Sequence, residues 1–279
     1  MTAAVASLAG VTVDVSADRG RRRTAVRVLD DVSLELAPGT VTALIGKSGC
    51  GKSMVASALC GLLPVGSVAT GRVRIGDRTL DPRDSAWHRV RGREVGLVPQ
   101  SPATSFTPVR TIGSHLSETV TVLGADRSVR ELADAVAYPA RALDRYPHEV
   151  SGGMAQRAAI AAAVAGRPRV LVADEPTSAL DPELAAATWR LLAGAAADGA
   201  GVLVVTHDIE TLRQVGVCDA IAVMREGRLL ARFSAGEFDG LASTSASDAA
   251  DAAYSAYSAD ATTRLTDDEY IAQFLQEVR

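Results

Sequence analysis

The feature that most constrains this chain is a glycine-rich stretch of eight residues, Gly46-Lys47-Ser48-Gly49-Cys50-Gly51-Lys52-Ser53. It fits the phosphate-binding pattern G-x-x-x-x-G-K-[ST], follows an apolar run at residues 41–45 and precedes a helix-compatible segment at residues 54–63. The glycines let the backbone approach phosphate oxygens, and the loop N–H groups converge on the anion at the start of a helix. The sequence therefore predicts a nucleotide phosphate site that extends to Met54.

Two side chains of this loop have predicted roles. Lys52 supplies an ammonium to the β- and γ-phosphates, and the hydroxyl of Ser53 can ligate Mg²⁺. Only two of the 29 basic residues are lysines, and both of them, Lys47 and Lys52, lie in the loop. Because a planar guanidinium does not replace an ammonium at such a site, this bias favours a phosphate site over an ordinary glycine-rich turn.

Composition argues against a nucleic-acid partner, a disulfide framework or zinc site, and a membrane span. The net charge of −4 and the pI of about 5.6 give no reason to expect a nucleic-acid partner. The three cysteines, Cys50, Cys60 and Cys218, are too few and too scattered for a disulfide framework or a zinc site, and they fit a reducing compartment. The long charge-free run at residues 53–71 is interrupted by glycines and a proline, so we predict that it does not span a membrane.

The hydrophobic pattern predicts an α/β fold. Residues 11–15 and 32–36 alternate at period two, and Gly76-Asp77 marks a hairpin, which together indicate an antiparallel β subdomain. Residues 101–165 read as a helical insert, in which Ser128 and Glu131 form a capping box. Strands then alternate with helices, which predicts a mostly parallel core sheet around the phosphate loop.

The pattern divides the chain into three parts. We predict one domain over residues 1–238, a flexible linker rich in Ala, Ser and Asp over 239–264, and an amphipathic helix over 265–279. Thr266 and Glu269 form the predicted cap of that helix. Two interpretations stay open: the helix docks on its own domain, or it binds a partner subunit.

Carboxylates and a histidine end two buried strands. The apolar run 170–173 is followed by Asp174, placed to hold Mg²⁺, and by Glu175, placed to polarise the water that attacks the γ-phosphate. His207 follows the apolar run 202–205 and Thr206. On its own this position fits a structural histidine as well as a catalytic one.

These features occur in one order that resembles the ATP-binding-cassette ATPases over roughly residues 8–238. The resemblance rests on the phosphate loop, Gln100, Ser151-Gly152-Gly153-Met154-Ala155-Gln156-Arg157, Asp174-Glu175, Ser178-Ala179-Leu180-Asp181 and His207. It implies ATP hydrolysis with Mg²⁺ and a head-to-tail dimer of cassettes. It further implies catalytic roles for Lys52, Gln100, Glu175 and His207, Mg²⁺ ligation by Ser53, Gln100 and Asp174, and nucleotide contacts by Ser151, Gly152, Gly153 and Asp181.

Within that family, residues 100–113 and 145–154 resemble the peptide and nickel importers. The resemblance implies an ATPase at the cytoplasmic face of the cell membrane that powers uptake of peptides, nickel or a metal chelate. Its expected partners are two transmembrane permease subunits, a second cassette ATPase in a homo- or heterodimer and, indirectly, an extracytoplasmic substrate-binding protein. The alternative is a non-transport cassette ATPase of a soluble complex, similar to the carbon–phosphorus lyase assembly.

One departure from the family pattern generates a prediction. The family usually stacks adenine on an aromatic residue near the first strand, whereas residues 1–86 contain no Phe, Tyr or Trp. We therefore expect weak base discrimination, with a guanidinium of Arg19 or of Arg21, Arg22 or Arg23 lying against the base. Turnover of GTP and ATP, measured side by side in the assembled complex, should be of the same order. GTP turnover far below ATP turnover would contradict this expectation.

Overall fold

The strands form two sheets in the part of the chain that the structure describes. The structure is a computed structural model that describes residues 3–19, 22–178, 180–243 and 270–271. The strands are β1 (Ala6–Arg19), β2 (Arg22–Leu36), β3 (Val41–Ile45), β4 (Val68–Ile75), β5 (Arg78–Leu80), β6 (Val95–Val98), β7 (Val170–Asp174), β8 (Gly201–Val205), β9 (Ala220–Arg225) and β10 (Arg228–Ser234).

Helices connect and cover the strands. They are α1 (Lys52–Leu59), α2 (Trp87–Val90), α3 (Pro102–Ser105), α4 (Ile112–Leu123), α5 (Val129–Ala135), α6 (Gly152–Val164), α7 (Pro182–Ala197), α8 (Ile209–Val215) and α9 (Ala235–Ser243). Short 3-10 turns at Ala140–Ala142 and Pro147–Glu149 link α5 to α6. The capping box of Ser128 and Glu131 at the start of α5 is present, as the sequence predicts.

The larger sheet has the strand order β10-β9-β3-β8-β7-β6 and is parallel except for the pair β9 and β10. The smaller sheet, in the order β2-β1-β4-β5, is antiparallel. Strands β3 and β8 are buried along their whole length because both faces of the parallel sheet are covered. The predicted α/β fold, with a mostly parallel core and an antiparallel subdomain, is confirmed.

Alternate residues of the parallel strands enter two separate cores. In β3, Val41, Ala43 and Ile45 belong to the core on the side of α4 to α7, whereas Leu44 belongs to the core shared with α1 and the antiparallel sheet. A strand with this period-two division cannot slip by one residue without exchanging its two faces. The register therefore fixes where β3 ends and the phosphate loop begins.

The predicted lengths of the N-terminal strands and of α1 were wrong. The N-terminal strands are long, 14 and 15 residues, rather than the short elements that the alternation predicts, and bulges near Val11 and Val13 interrupt their pairing. Helix α1 ends at Leu59, before the predicted end at residue 63. Gly61 follows the C-cap Cys60 in the left-handed conformation, φ +61°, in which helices commonly end, and a Cβ there would lie 2.2 Å from the indole of Trp87.

Helix α9 crosses the predicted boundary at residue 238. Ser234 and Glu237 cap it reciprocally, because each backbone N–H donates to the side chain of the other residue. Phe238 is fully buried, and Arg213 pairs with Asp239 at 2.7 Å. Residues 239–243, where we predicted the start of a linker, are therefore helical.

Several predicted features lie outside the described residues. These are the linker over 244–264, the cap residues Thr266 and Glu269, and the side chains of Arg19 and Arg21–23. In the residues that are described, no helix is both long enough and apolar enough to cross a membrane. The charge-free run 53–71 instead contains α1, a turn and the start of β4.

The burial of Phe238 predicts that α9 is part of the folded domain. Phe238→Ala removes a fully buried ring and should lower the free energy of unfolding by about 3–5 kcal/mol, measured by urea denaturation. Val65→Ala is the control, because Val65 is completely exposed and its truncation should change stability by less than about 0.5 kcal/mol. Equal effects of the two substitutions would contradict this assignment.

Candidate nucleotide-hydrolysis site

Two glycines of the phosphate loop are required by close packing. Gly46 has φ +152°, and a Cβ there would lie 2.2 Å from the carbonyl oxygen of Met224 in β9. Gly51 has φ +105°, and a Cβ there would lie 2.8 Å from the carbonyl oxygen of Val28 in β2. Neighbouring strands therefore hold the loop on two sides, and only glycine fits at these two positions.

Lys52 directs its ammonium into the loop. The side chain is buried, and Nζ donates hydrogen bonds to the carbonyl oxygens of Gly46 at 2.8 Å and Lys47 at 3.1 Å. Lys52 is also the first residue of α1, where the partial positive charge of the helix adds to that of the ammonium. Both charges favour an anion at the loop, as the sequence predicts.

Ser53 and Asp174 lie together beside the loop. The hydroxyl of Ser53 donates to Oδ1 of Asp174 at 3.1 Å. Burial raises the pKa of the Asp174 carboxyl, and the charge of Glu175 adds to the rise, whereas the hydrogen bond from Ser53 and the charge of Lys52 oppose it. A hydroxyl and a carboxylate are hard oxygen ligands of the kind that Mg²⁺ prefers.

Glu175 is the centre of a second group of side chains. Gln100 Nε2 donates to its Oε2 at 3.1 Å, and His207 Nδ1 lies 3.6 Å from its Oε1. The structure therefore brings three of the four predicted catalytic side chains together at the ends of β6, β7 and β8. His207 is 63% exposed, and its separation from this carboxylate is longer than a hydrogen bond.

The backbone of Glu175 is unusual. It adopts φ +44°, which is rare for a residue with a side chain, and its N–H donates to the carbonyl oxygen of Val205 at 2.8 Å. Left-handed residues of this kind cost free energy and concentrate at functional sites. Here the bend ends β7 and turns the carboxylate toward Gln100 and His207.

Two further predicted site residues, Ser151 and Asp181, cap helices. Ser151 caps α6 by accepting a hydrogen bond from the Met154 N–H at 3.3 Å, and Ser151 and Gly152 are exposed. Asp181 likewise caps α7 by accepting from the Leu184 N–H at 3.0 Å. Within the described part of this single chain, none of the hydrogen bonds joins Ser151, Gly152, Gly153 or Asp181 to the phosphate loop.

The sequence did not predict that Tyr270 and Arg225 lie beside the phosphate loop. The Lys47 N–H donates to Tyr270 Oη at 3.3 Å, and the Tyr270 ring lies 5.6 Å from the Lys47 ammonium and 5.0 Å from the Arg225 guanidinium. The adjacent Ile271 is buried in the domain core. Of the two interpretations of the C-terminal segment, docking on its own domain is the one that these described residues show. No local pattern could have predicted a contact across 223 positions.

Comparison with known proteins identifies the family. The ABC transporter family matches residues 29–178. The chain belongs to the ABC transporter family. It is similar to the oligopeptide transport ATP-binding protein OppD of Mycobacterium tuberculosis, at 40% identity over 218 residues. It is also similar to an Escherichia coli K12 protein named "Probable D,D-dipeptide transport ATP-binding protein DdpD", at 35% identity over 217 residues.

The extent of these matches differs. The similarity covers 74% of this chain in both cases, but 35% of OppD and 66% of DdpD. The chain thus spans about a third of the length of the first relative. Among solved structures, a dimeric ATP-binding cassette in a post-hydrolysis state, bound to ADP and Pi, matches with a TM-score of 0.70 and 26% identity. That match covers 82% of this chain and 98% of the cassette.

The packing of Gly46 predicts a specific loss. Gly46→Ala would force a Cβ against the Met224 backbone, so we expect the loop to distort and ATP affinity to fall roughly tenfold or more. Titration with a fluorescent ATP analogue measures this. Gly194→Ala is the matched control, because that glycine is helical with open space around its missing Cβ. Affinity within twofold of the unmodified chain for Gly46→Ala would contradict the prediction.

Proposed function

We propose that this chain is the ATP-binding and ATP-hydrolysing subunit of an importer for peptides. The observation that carries the proposal is the position of Glu175, between Gln100 and His207 and one residue after Asp174, which contacts Ser53 of the phosphate loop. A carboxylate held beside a phosphate site by two polar side chains is the arrangement that water activation requires.

Different residues of the site bind the phosphates, activate the attacking water and would hold Mg²⁺. Lys52 and the N–H groups of the loop bind the β- and γ-phosphates, and the Glu175 carboxylate accepts the proton of the attacking water. Gln100 and His207 orient that carboxylate through the contacts described above. Mg²⁺ would be held by Ser53, Asp174 and Gln100, and when bound it neutralises negative charge on the phosphate oxygens.

We further propose that a second cassette completes the site. Ser151 and Gly152 are exposed at the N-terminus of α6, where N–H groups and the helix dipole suit a phosphate. They and Asp181 would contact nucleotide held by the phosphate loop of the other subunit, which is either a second copy or a different chain. The dimeric cassette bound to ADP and Pi supports this arrangement.

The proposed location is the cytoplasmic face of the membrane, with two transmembrane permease subunits and, indirectly, an extracytoplasmic substrate-binding protein as partners. The relatives named above are transport ATP-binding proteins for oligopeptides and D,D-dipeptides. Their names favour peptides over nickel or a metal chelate as the cargo. They also favour a transporter over a soluble assembly of the carbon–phosphorus lyase type.

The assignment of Glu175 is tested by an isosteric substitution. Glu175→Gln keeps the shape of the side chain and loses the base, so ATP binding should be retained while hydrolysis falls on the order of 100-fold or more. Single-turnover hydrolysis and ATP titration measure the two effects separately. Glu35→Gln, at an exposed position of β2, is the control and should hydrolyse ATP normally. Normal hydrolysis by Glu175→Gln would remove the assignment.

The transport role is tested by affinity purification of the tagged chain from mildly solubilised membranes. Mass spectrometry should identify two multi-span membrane proteins and a cassette ATPase, either this chain or a second one, among the copurifying chains. Recovery only from the soluble fraction, together with enzymes as partners, would contradict the importer.

A further inference from the structure

Tyr270 contacts the phosphate loop from outside. Its Oη accepts a hydrogen bond from the backbone N–H of Lys47, the second residue of the loop, at 3.3 Å. Two cations lie over its ring, the Lys47 ammonium at 5.6 Å and the Arg225 guanidinium at 5.0 Å from the centroid. A residue close to the end of the chain therefore engages a backbone donor and a charged side chain of the predicted nucleotide site.

The next residue anchors this contact. Ile271 is 3% exposed and belongs to the same core as Phe233 and Phe238, on the helical side of the parallel sheet. Tyr270 is thus held beside the loop by a neighbour that is packed like an ordinary core residue, rather than by its own contacts alone.

The contact uses a donor of the phosphate loop that a bound anion would also use. A backbone N–H makes one good hydrogen bond, and Lys47 is among the loop residues predicted to bind nucleotide. The ring also lies near the Lys47 ammonium and the Arg225 guanidinium, two positive charges beside the loop, of which Arg225 also pairs with Glu226 at 3.6 Å. A phosphate oxygen is a stronger acceptor than a neutral phenol, so a bound triphosphate has the advantage over Tyr270.

We propose that Tyr270 is an internal competitor for the phosphate loop, which a nucleoside triphosphate displaces when it binds. The inference rests on the proposed function, because the loop must bind nucleotide for the competition to exist. Competition is reciprocal: Tyr270 weakens nucleotide binding by the same factor by which nucleotide weakens the binding of Tyr270. The end of the chain would then sense whether the phosphate loop is occupied.

The first test is the affinity for nucleotide of the full-length chain. A neutral hydrogen bond and exposed cation–π contacts are each weak, so Tyr270→Ala should bind a fluorescent ATP analogue roughly three- to tenfold more tightly. Tyr270→Phe keeps the ring and loses the acceptor, so its affinity should fall between those of Tyr270→Ala and the unmodified chain. Tyr146→Ala is the matched control for loss of an exposed tyrosine, because its ring stacks on His148, and it should bind as the unmodified chain does.

The second test is the reciprocal effect. Hydrogen exchange at the amide of residue 270 should become faster when saturating ATP is added to the unmodified chain, whereas the amide of Ile271, whose side chain is anchored in the core, should change little. In Tyr270→Ala the amide of residue 270 should exchange at the faster rate without ATP, and thermal unfolding shows whether that variant remains folded. Slower exchange with ATP would overturn the inference, because the nucleotide would then strengthen the contact.

The outcomes distinguish failure of the proposed competition from failure of the proposed function. Equal or weaker ATP binding by both Tyr270 variants, together with normal binding by the unmodified chain, overturns the competition and leaves the proposed function in place. Failure of the unmodified chain and of every variant to bind ATP overturns the proposed function, and the inference with it. Tighter binding by Tyr270→Ala with no change in Tyr146→Ala supports both the competition and the proposed function.

Discussion

The structure depends on the close approach of the phosphate loop to strand β9. Gly46 leaves β3 in a conformation that places its Cα against the carbonyl oxygen of Met224, with no space for a side chain. This contact sets the path of the loop, and the path brings the Lys52 ammonium back onto the carbonyl oxygens of Gly46 and Lys47. The positive charge of the site is thus fixed by backbone packing before any ligand arrives.

The same sheet arranges the hydrolytic groups. Strands β6, β7 and β8 run parallel, so the residues that follow them, Gln100, Glu175 and His207, meet at one edge beside the loop. Ser151 and Asp181 are on helices α6 and α7, and their hydrogen bonds remain within those helices. One chain therefore provides a phosphate loop and a base, and separately an exposed helix N-terminus, which is consistent with a site shared between two cassettes.

The C-terminal part of the chain belongs to this arrangement. Helix α9 continues the domain past residue 238 through the buried Phe238 and the pair of Arg213 with Asp239. Farther along, Ile271 enters the same core and Tyr270 reaches the loop. The phosphate loop therefore has a neighbour that comes from a distant part of the sequence.

What the sequence by itself determined is local. The spacing of residues 46–53, the apolar run that ends in Asp174 and Glu175, and the cap of Ser128 all follow from neighbouring residues, whose physical requirements are visible in the pattern. Only the tertiary structure decided which side chain contacts Glu175, because Gln100 lies 75 positions away along the chain. The contact between Tyr270 and Lys47 is also visible only in the tertiary structure, because the two residues are 223 positions apart. Such contacts depend on how the sheets and helices pack together. The hydrophobic periodicity of the sequence predicts individual helices and strands but not that packing.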